Sequence, residues 1–180
     1  KPEKNYVFWP DGLFYKNIYR NKEVRKIPGR ELVQDLKLPP EIKKIHVIGN
    51  ASKNVLNYLN NNHEDIELKH TSLPYAEVET LSSLVPKLED DEVTLLTIPT
   101  PKQEQLATLL SKKNSNYKIL CIGGAIRMLC GDEPAAPKLF YILNLEFVWR
   151  LRFETRRRVR RLFESFYYYI IAKFRGKFNN

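Results

Sequence analysis

Four stretches of this 180-residue chain hold side chains that could do chemistry. Asp11 lies in Pro-Asp-Gly, which taken alone is a common β-turn. Gln103 and Glu104 open a helical pattern, where the plain role of Gln103 would be to cap the helix. Gly49-Asn50 and Gly123-Gly124 each end an apolar run, and without a GxGxxG or Walker loop such glycines read singly as turn or packing positions. Arg150 and the five arginines within 156–161 carry planar guanidinium forks that bind phosphate oxygens bidentately, although any one of them alone reads as a solvated or lipid-facing charge. His46, His63 and His70 lack i,i+4 spacing and a companion Cys or carboxylate motif, so no metal site is expected. Cys121 and Cys130 fit neither a disulfide framework nor a zinc cluster, which favours a reduced, cytosolic setting.

The elements that must position these residues alternate between apolar runs and helical spacing. YVFW from Tyr6 and IHVIG from Ile45 read as strands, and Ser52 is placed to cap a helix bearing Val55, Leu56 and Leu59. A short strand over 66–69 follows. A polar helix is expected to begin at Pro74, with Val78, Leu81, Leu84 and Val85 as its apolar positions. VTLLTI from Val93 is a buried, β-branched strand, 102–112 are helical, and KILCIGG from Lys118 is another buried strand. Strand and helix alternating in units of about 25 residues predict a Rossmann-like α/β fold, a mainly parallel sheet with helices on both faces. Ligands in such folds sit beyond the carboxyl ends of the strands, so Gly49-Asn50, 99–103 and Gly123-Gly124 should border one crevice.

Composition, 43% hydrophobic and 28% charged, is that of a globular protein and excludes a disordered one. The net charge of +9 is concentrated: residues 138–180 hold 11 Lys+Arg against 3 Asp+Glu, while 1–137 hold 19 against 18. We expect an α/β domain over 1–137 and a cationic helical appendage over 138–180, whose partner is anionic. Leu162, Phe163, Phe166, Ile170 and Phe174 recur at three- and four-residue spacing opposite Arg157, Arg160, Arg161 and Arg175, giving one aromatic and one basic face. Twelve of the 21 aromatic residues lie from Lys138 onward, a stripe large enough, with Tyr167, to enter a membrane interface. An RNA-binding arm would need the charge but not the stripe, so nucleic acid is set aside as a partner. No leader is visible, and the run FYYYIIA from Phe166 falls far short of the roughly 20 residues of a membrane span.

In order and spacing these stretches resemble the WecG/TagA/CpsF glycosyltransferase family over nearly the whole chain. FWPDG is similar to its aspartate segment, RKIPGREL to "RvxGxDL", CIGGAIRMLCG to "vGgxfdxxaG", and LNLEFVWRLRFETRRRVRRLF to "gLEWlyRLxxEPxRxxRRy". TIPTPKQEQL holds an intact Pro-Lys-Gln-Glu. The resemblance implies a metal-independent, inverting bacterial enzyme without a cofactor. Its donor would be a UDP-sugar, often of N-acetylmannosamine or glucose, and its acceptor an undecaprenyl-diphosphate-linked sugar at the cytoplasmic face of the inner membrane.

It further implies roles for particular residues. Asp11 matches the proposed catalytic base. Lys26, Gly49, Asn50, Gln103, Glu104, Gly123, Gly124, Arg150, Arg156 and Arg160 become donor- or acceptor-binding positions, with two or three of the arginines meeting the departing diphosphate. Phe163, Phe166, Tyr167, Ile170 and Phe174 become membrane contacts. The chain departs from the pattern where Lys26 replaces an arginine, Glu31 an aspartate, and Ala135 or Ala136 the arginine of "RAP". Members also carry a longer segment before the aspartate than the ten residues here. That points to a trimmed chain or to a short form whose missing wall comes from a partner subunit; separately, the resemblance suggests that exposed apolar tail surface pairs subunits into a homo-oligomer. The alternative function is a non-catalytic membrane-bound subunit supporting another glycosyltransferase.

Overall fold

A computed structural model describes residues 29–134, 137–143, 145, 148–149, 159–160, 163, 166–167 and 170–171, with Val7 and Ile27. They divide into two compact units, one of Val7 and Ile27–Glu133, the other beginning at Pro134. The expected strand at Tyr6 lies outside the described residues except for Val7, which is exposed and in no element.

In the first unit the chain runs α1 (Gly29–Gln34), β1 (Lys44–Ile48), α2 (Lys53–Asn62), β2 (Glu67–Thr71), α3 (Val78–Leu84), β3 (Glu92–Leu96), α4 (Lys102–Lys113), β4 (Lys118–Cys121) and a 3-10 turn at Ala125–Met128. The four strands are all parallel, in the order β2-β1-β3-β4. This is the Rossmann-like α/β architecture that the alternating runs imply. Because successive strand residues face opposite ways, Ile45, Val47, Val93 and Leu95 pack on one side with Val33 of α1 and Val55 and Leu59 of α2. Ile48 and Leu96 pack on the other with Val78 and Leu81 of α3 and Leu106 and Leu110 of α4. Burial from both faces leaves all of β3 inaccessible, with Val93, Leu95 and Leu96 in the apolar layers and Glu92 and Thr94 paired within the sheet.

Most boundaries shift by one or two residues from the sequence reading, and two of the shifts have a plain local cause. β2 begins at Glu67 because the Ile66 N–H closes a turn onto the His63 carbonyl, and the ladder starts only where the Glu67 N–H reaches Lys43. α3 begins at Val78, not at Pro74, since Glu77 is still extended (φ −73°, ψ 158°). It ends before Val85, which precedes Pro86 and takes the extended backbone that a following proline favours. Ser52 caps α2 as expected, its Oγ accepting from the Val55 N–H at 3.2 Å.

One polar group is built into the α3/α4 face. His46 Nδ1–H donates to Glu92 Oε1 (3.1 Å), Thr94 Oγ1 donates to the same oxygen (3.2 Å), and His46 Nε2 pairs with Thr71 Oγ1 (2.7 Å). His46 and Glu92 are buried and mutually satisfied, so the cluster cross-links three strands at no cost in orphaned polar groups. Among the described residues no group of three or more His, Cys, Asp or Glu is placed to hold a metal ion.

In the second unit, α5 spans Lys138–Ile142, the Phe140 and Trp149 rings meet at 5.6 Å and 57°, and Trp149 Nε1–H donates to the Pro134 carbonyl (3.3 Å). Val159, Arg160, Phe163, Phe166, Tyr167, Ile170 and Ile171 have helical backbone. Phe163, Phe166 and Tyr167 are exposed, Phe163 by 69%. No helix among the described residues is long and apolar enough to cross a membrane.

Candidate functional site

The strand order reverses direction between β1 and β3: from β1 the chain steps outward to β2, then returns past β1 to β3 and on to β4. Ligands of open parallel sheets bind outside the carboxyl ends at such a switch point. Here the turn after β1 meets the turn after β3. Gly49 has φ +121°, and a Cβ built on it would lie 2.7 Å from Thr97 Oγ1 and 2.8 Å from Ile98 Cγ2, so only glycine lets the two turns touch. Hydrogen bonds fix the contact: the Gly49 N–H donates to the Thr71 carbonyl (2.9 Å), His70 Nε2 to the Gly49 carbonyl (3.0 Å), and Thr97 Oγ1 to the Ile48 carbonyl (3.2 Å). Asn50 follows, exposed.

The turn after β3 leads into α4, and its residues divide their work. Lys102 faces away from the other two: its ammonium donates to the Ala76 carbonyl (2.7 Å) and the Glu77 carboxylate (3.2 Å) and lies 4.8 Å from the centre of the Tyr75 ring, pinning the loop after β2. Gln103 is only 5% exposed. Its Nε2 donates to Thr100 Oγ1 (3.0 Å) and Glu104 Oε1 (2.8 Å), and the Thr100 hydroxyl donates to that same Glu104 oxygen (3.0 Å). Gln103 Oε1 is buried with no partner among the described residues. An unmet buried acceptor of this kind costs about 1–3 kcal/mol. Gln103 does not cap α4; the cap position is Pro101, which has no capping side-chain bond.

Gly123, at the end of β4, has φ +52°, and a Cβ there would meet Gln103 Oε1 at 3.5 Å, an ordinary contact. Its glycine therefore answers to the left-handed backbone, whereas Gly124 has φ −87°, and a Cβ there would meet only Arg127 Cδ at an ordinary 3.8 Å. Cys121 sits beneath, and burial, with Glu104 nearby, pushes its thiol up to about 12. At neutral pH it is a thiol and no nucleophile.

Sequence reasoning missed Asp132. Its carboxylate accepts from Ser52 Oγ and from Asn54 Nδ2 (2.9 Å), joining the segment after β4 to the N-terminus of α2. The Ser52 hydrogen bond, then that of Asn54, holds the carboxyl below its ordinary value. No local signal marks it, because its partners lie about 80 positions earlier in the chain.

The structure thus brings Gly49, Asn50, Gln103, Glu104, Gly123 and Gly124 to one end of three adjacent strands, with two helix N-termini opening there, an environment suited to an anionic ligand. Asp11, Lys26, Arg150, Arg156 and Phe174 lie outside the described residues. Arg160 is helical and exposed in the second unit, and Ile170 is half-buried there. Residues 12–180 match the Glycosyl transferase WecG/TagA/CpsF family. The chain belongs to that family. No curated protein and no solved structure matches it. Its general role as a WecG/TagA/CpsF member is glycosyl transfer, and the paired turns stand at the switch point, the place where open parallel sheets receive their ligands. The matched span begins immediately after Asp11.

Proposed function

We propose that this WecG/TagA/CpsF member is an inverting, metal-independent enzyme that moves N-acetylmannosamine, glucose or a related sugar from a UDP-sugar to an undecaprenyl-diphosphate-linked acceptor. It would work at the cytoplasmic face of the bacterial inner membrane, in cell-surface polysaccharide or teichoic acid synthesis. The observation that carries the reading is the buried Gln103 oxygen at the switch-point end of the sheet, which has no partner among the described residues. A structural glutamine would have its oxygen paired. One left open beside a glycine turn is a group waiting for a ligand.

In the proposed step Asp11 takes the proton of the acceptor hydroxyl as that oxygen attacks the anomeric carbon. The bond from that carbon to the diphosphate oxygen breaks on the opposite face, and its electron pair leaves with the diphosphate. Arg150, Arg156 and Arg160, the arginines that the family resemblance singles out, would take up the resulting charge. The exposed Phe163, Phe166 and Tyr167, on a chain segment rich in arginine, support a membrane-surface setting for the lipid-linked substrate.

The test is donor turnover with a lipid-linked acceptor in anionic vesicles, comparing the native chain with Asp11→Asn. The substitution should lower kcat by about 10²- to 10⁴-fold and leave UDP affinity unchanged. Equal rates would remove Asp11 from the mechanism, and no turnover by the native chain on any UDP-sugar would favour the non-catalytic subunit.

A further inference from the structure

Thr100, Gln103 and Glu104 close a ring in which every hydrogen bond has one possible direction. Both protons of the Gln103 amide are used, one toward Thr100 Oγ1 and one toward Glu104 Oε1, while the Thr100 proton goes to the same Glu104 oxygen. An ionised carboxylate accepts and cannot donate. Reversing the amide would therefore set two oxygens against each other, so Glu104 decides which end of Gln103 turns inward. The end it turns inward is the carbonyl, buried and without a partner among the described residues.

We infer that Glu104 and Thr100 are positioning residues that hold the Gln103 carbonyl ready for the bound sugar, and that it receives a hydroxyl or amide N–H of that sugar rather than the diphosphate. The chemistry excludes the diphosphate directly: when ionised it offers only acceptors, and two acceptors do not bond. Glu104 is thereby moved from the ligand-contacting set to the support of Gln103, since the oxygen it directs into the ring already takes two donors. The amide's orientation rests on the hydrogen bonds alone. The identity of its ligand rests on the glycosyl-transfer reading.

The experiment separates the two. Calorimetry on the full chain compares UDP with UDP-glucose and UDP-N-acetylmannosamine for the native protein, Glu104→Ala, Glu104→Gln and Thr100→Val. NMR follows exchange of the Gln103 side-chain amide protons without ligand. We expect a UDP-sugar to bind more tightly than UDP, and Glu104→Ala to weaken the UDP-sugar about tenfold, one hydrogen bond's worth, while leaving UDP unchanged. Glu104→Gln keeps an accepting oxygen and should restore both the affinity and the slow exchange that Glu104→Ala loses. Should Glu104→Ala fail to fold, Thr100→Val removes one member of the ring at nearly constant shape and should show the same selective loss. Equal weakening of UDP and UDP-sugar, or protected Gln103 protons in Glu104→Ala, would overturn the positioning role. Slow exchange in the native chain together with no preference for either sugar over UDP would overturn the ligand half and leave the orientation standing.

Discussion

The two ends of the parallel sheet are built on opposite principles. At the amino end charges are paired off: Lys44 pairs with Glu89 and, at 3.5 Å, with Asp91, and Lys69 pairs with Glu89 (2.8 Å) and Glu67 (3.8 Å). Lys118 reaches the Asp90 carbonyl, and the Asp91 carbonyl accepts the N–H groups of Lys43 and Lys44. At the carboxyl end, Gly49 lets two turns touch and a buried amide oxygen has no partner among the described residues. Saturated polar groups make a scaffold, whereas an open one gives up stability for a ligand. The contrast distinguishes the ends by chemistry, independently of any family pattern.

The strongest way to break the comparison is at the meeting of the two turns. Gly49→Val should cost about 3 kcal/mol, because it combines overpacking against Thr97 and Ile98 with a left-handed backbone that a β-branched residue does not tolerate. Urea unfolding with an unchanged m-value measures it. Gly123→Ala is the sharper companion: space exists for its Cβ, so only the backbone penalty of about 1–2 kcal/mol should remain. Equal losses at both positions would mean that the approach of the turns is not what Gly49 provides.

A smaller change in stability should accompany a large one in function at Gln103. Gln103→Met removes two hydrogen bonds, yet it also removes the buried orphan oxygen, and the opposing contributions of about 1–3 kcal/mol each should leave the urea midpoint within about 1 kcal/mol of native. Turnover of a UDP-sugar should fall at the same time. A destabilisation well beyond that range would make Gln103 a scaffold residue like those at the opposite end.

How much of this was legible in sequence follows from where the information lies. β1 and β3 announce themselves because these central strands are buried on both faces and carry Ile45, Val47, Ile48, Val93, Leu95 and Leu96. β2, an edge strand carrying Glu67, Lys69 and His70, gives a weaker signal and was placed one residue early at its start. The glycine turns and the Pro-Lys-Gln-Glu run pointed to the carboxyl end because a parallel sheet puts every strand-to-helix turn there. What the order of residues could not reveal is direction: that Lys102 faces the loop after β2, that Gln103 turns its oxygen inward, and that Asp132 reaches back to Ser52. Those are choices of rotamer and of distant contact, made only once the layers pack.

The smallest expected effect lies at the amino end and concerns Glu89. The Lys44 hydrogen bond, followed by that of Lys69, lowers its carboxyl from 4.5 to about 2. A group whose folded value is depressed stabilises the protein above its ordinary titration range and loses that contribution as pH falls through the folded value. Native protein and Glu89→Gln should therefore differ in urea midpoint at pH 7, and the two curves should converge as pH drops from about 4.5 toward 2. The site is exposed, so the difference should be small and should vanish in 1 M salt, where screening acts over about 3 Å. Affinity for a UDP-sugar should not change at all, since the substitution stands at the far ends of the strands from Gly49, Gln103 and Gly123. If Glu89→Gln weakened that binding, the two ends would be coupled, and the division between scaffold and site would have to be redrawn along the strands that join them.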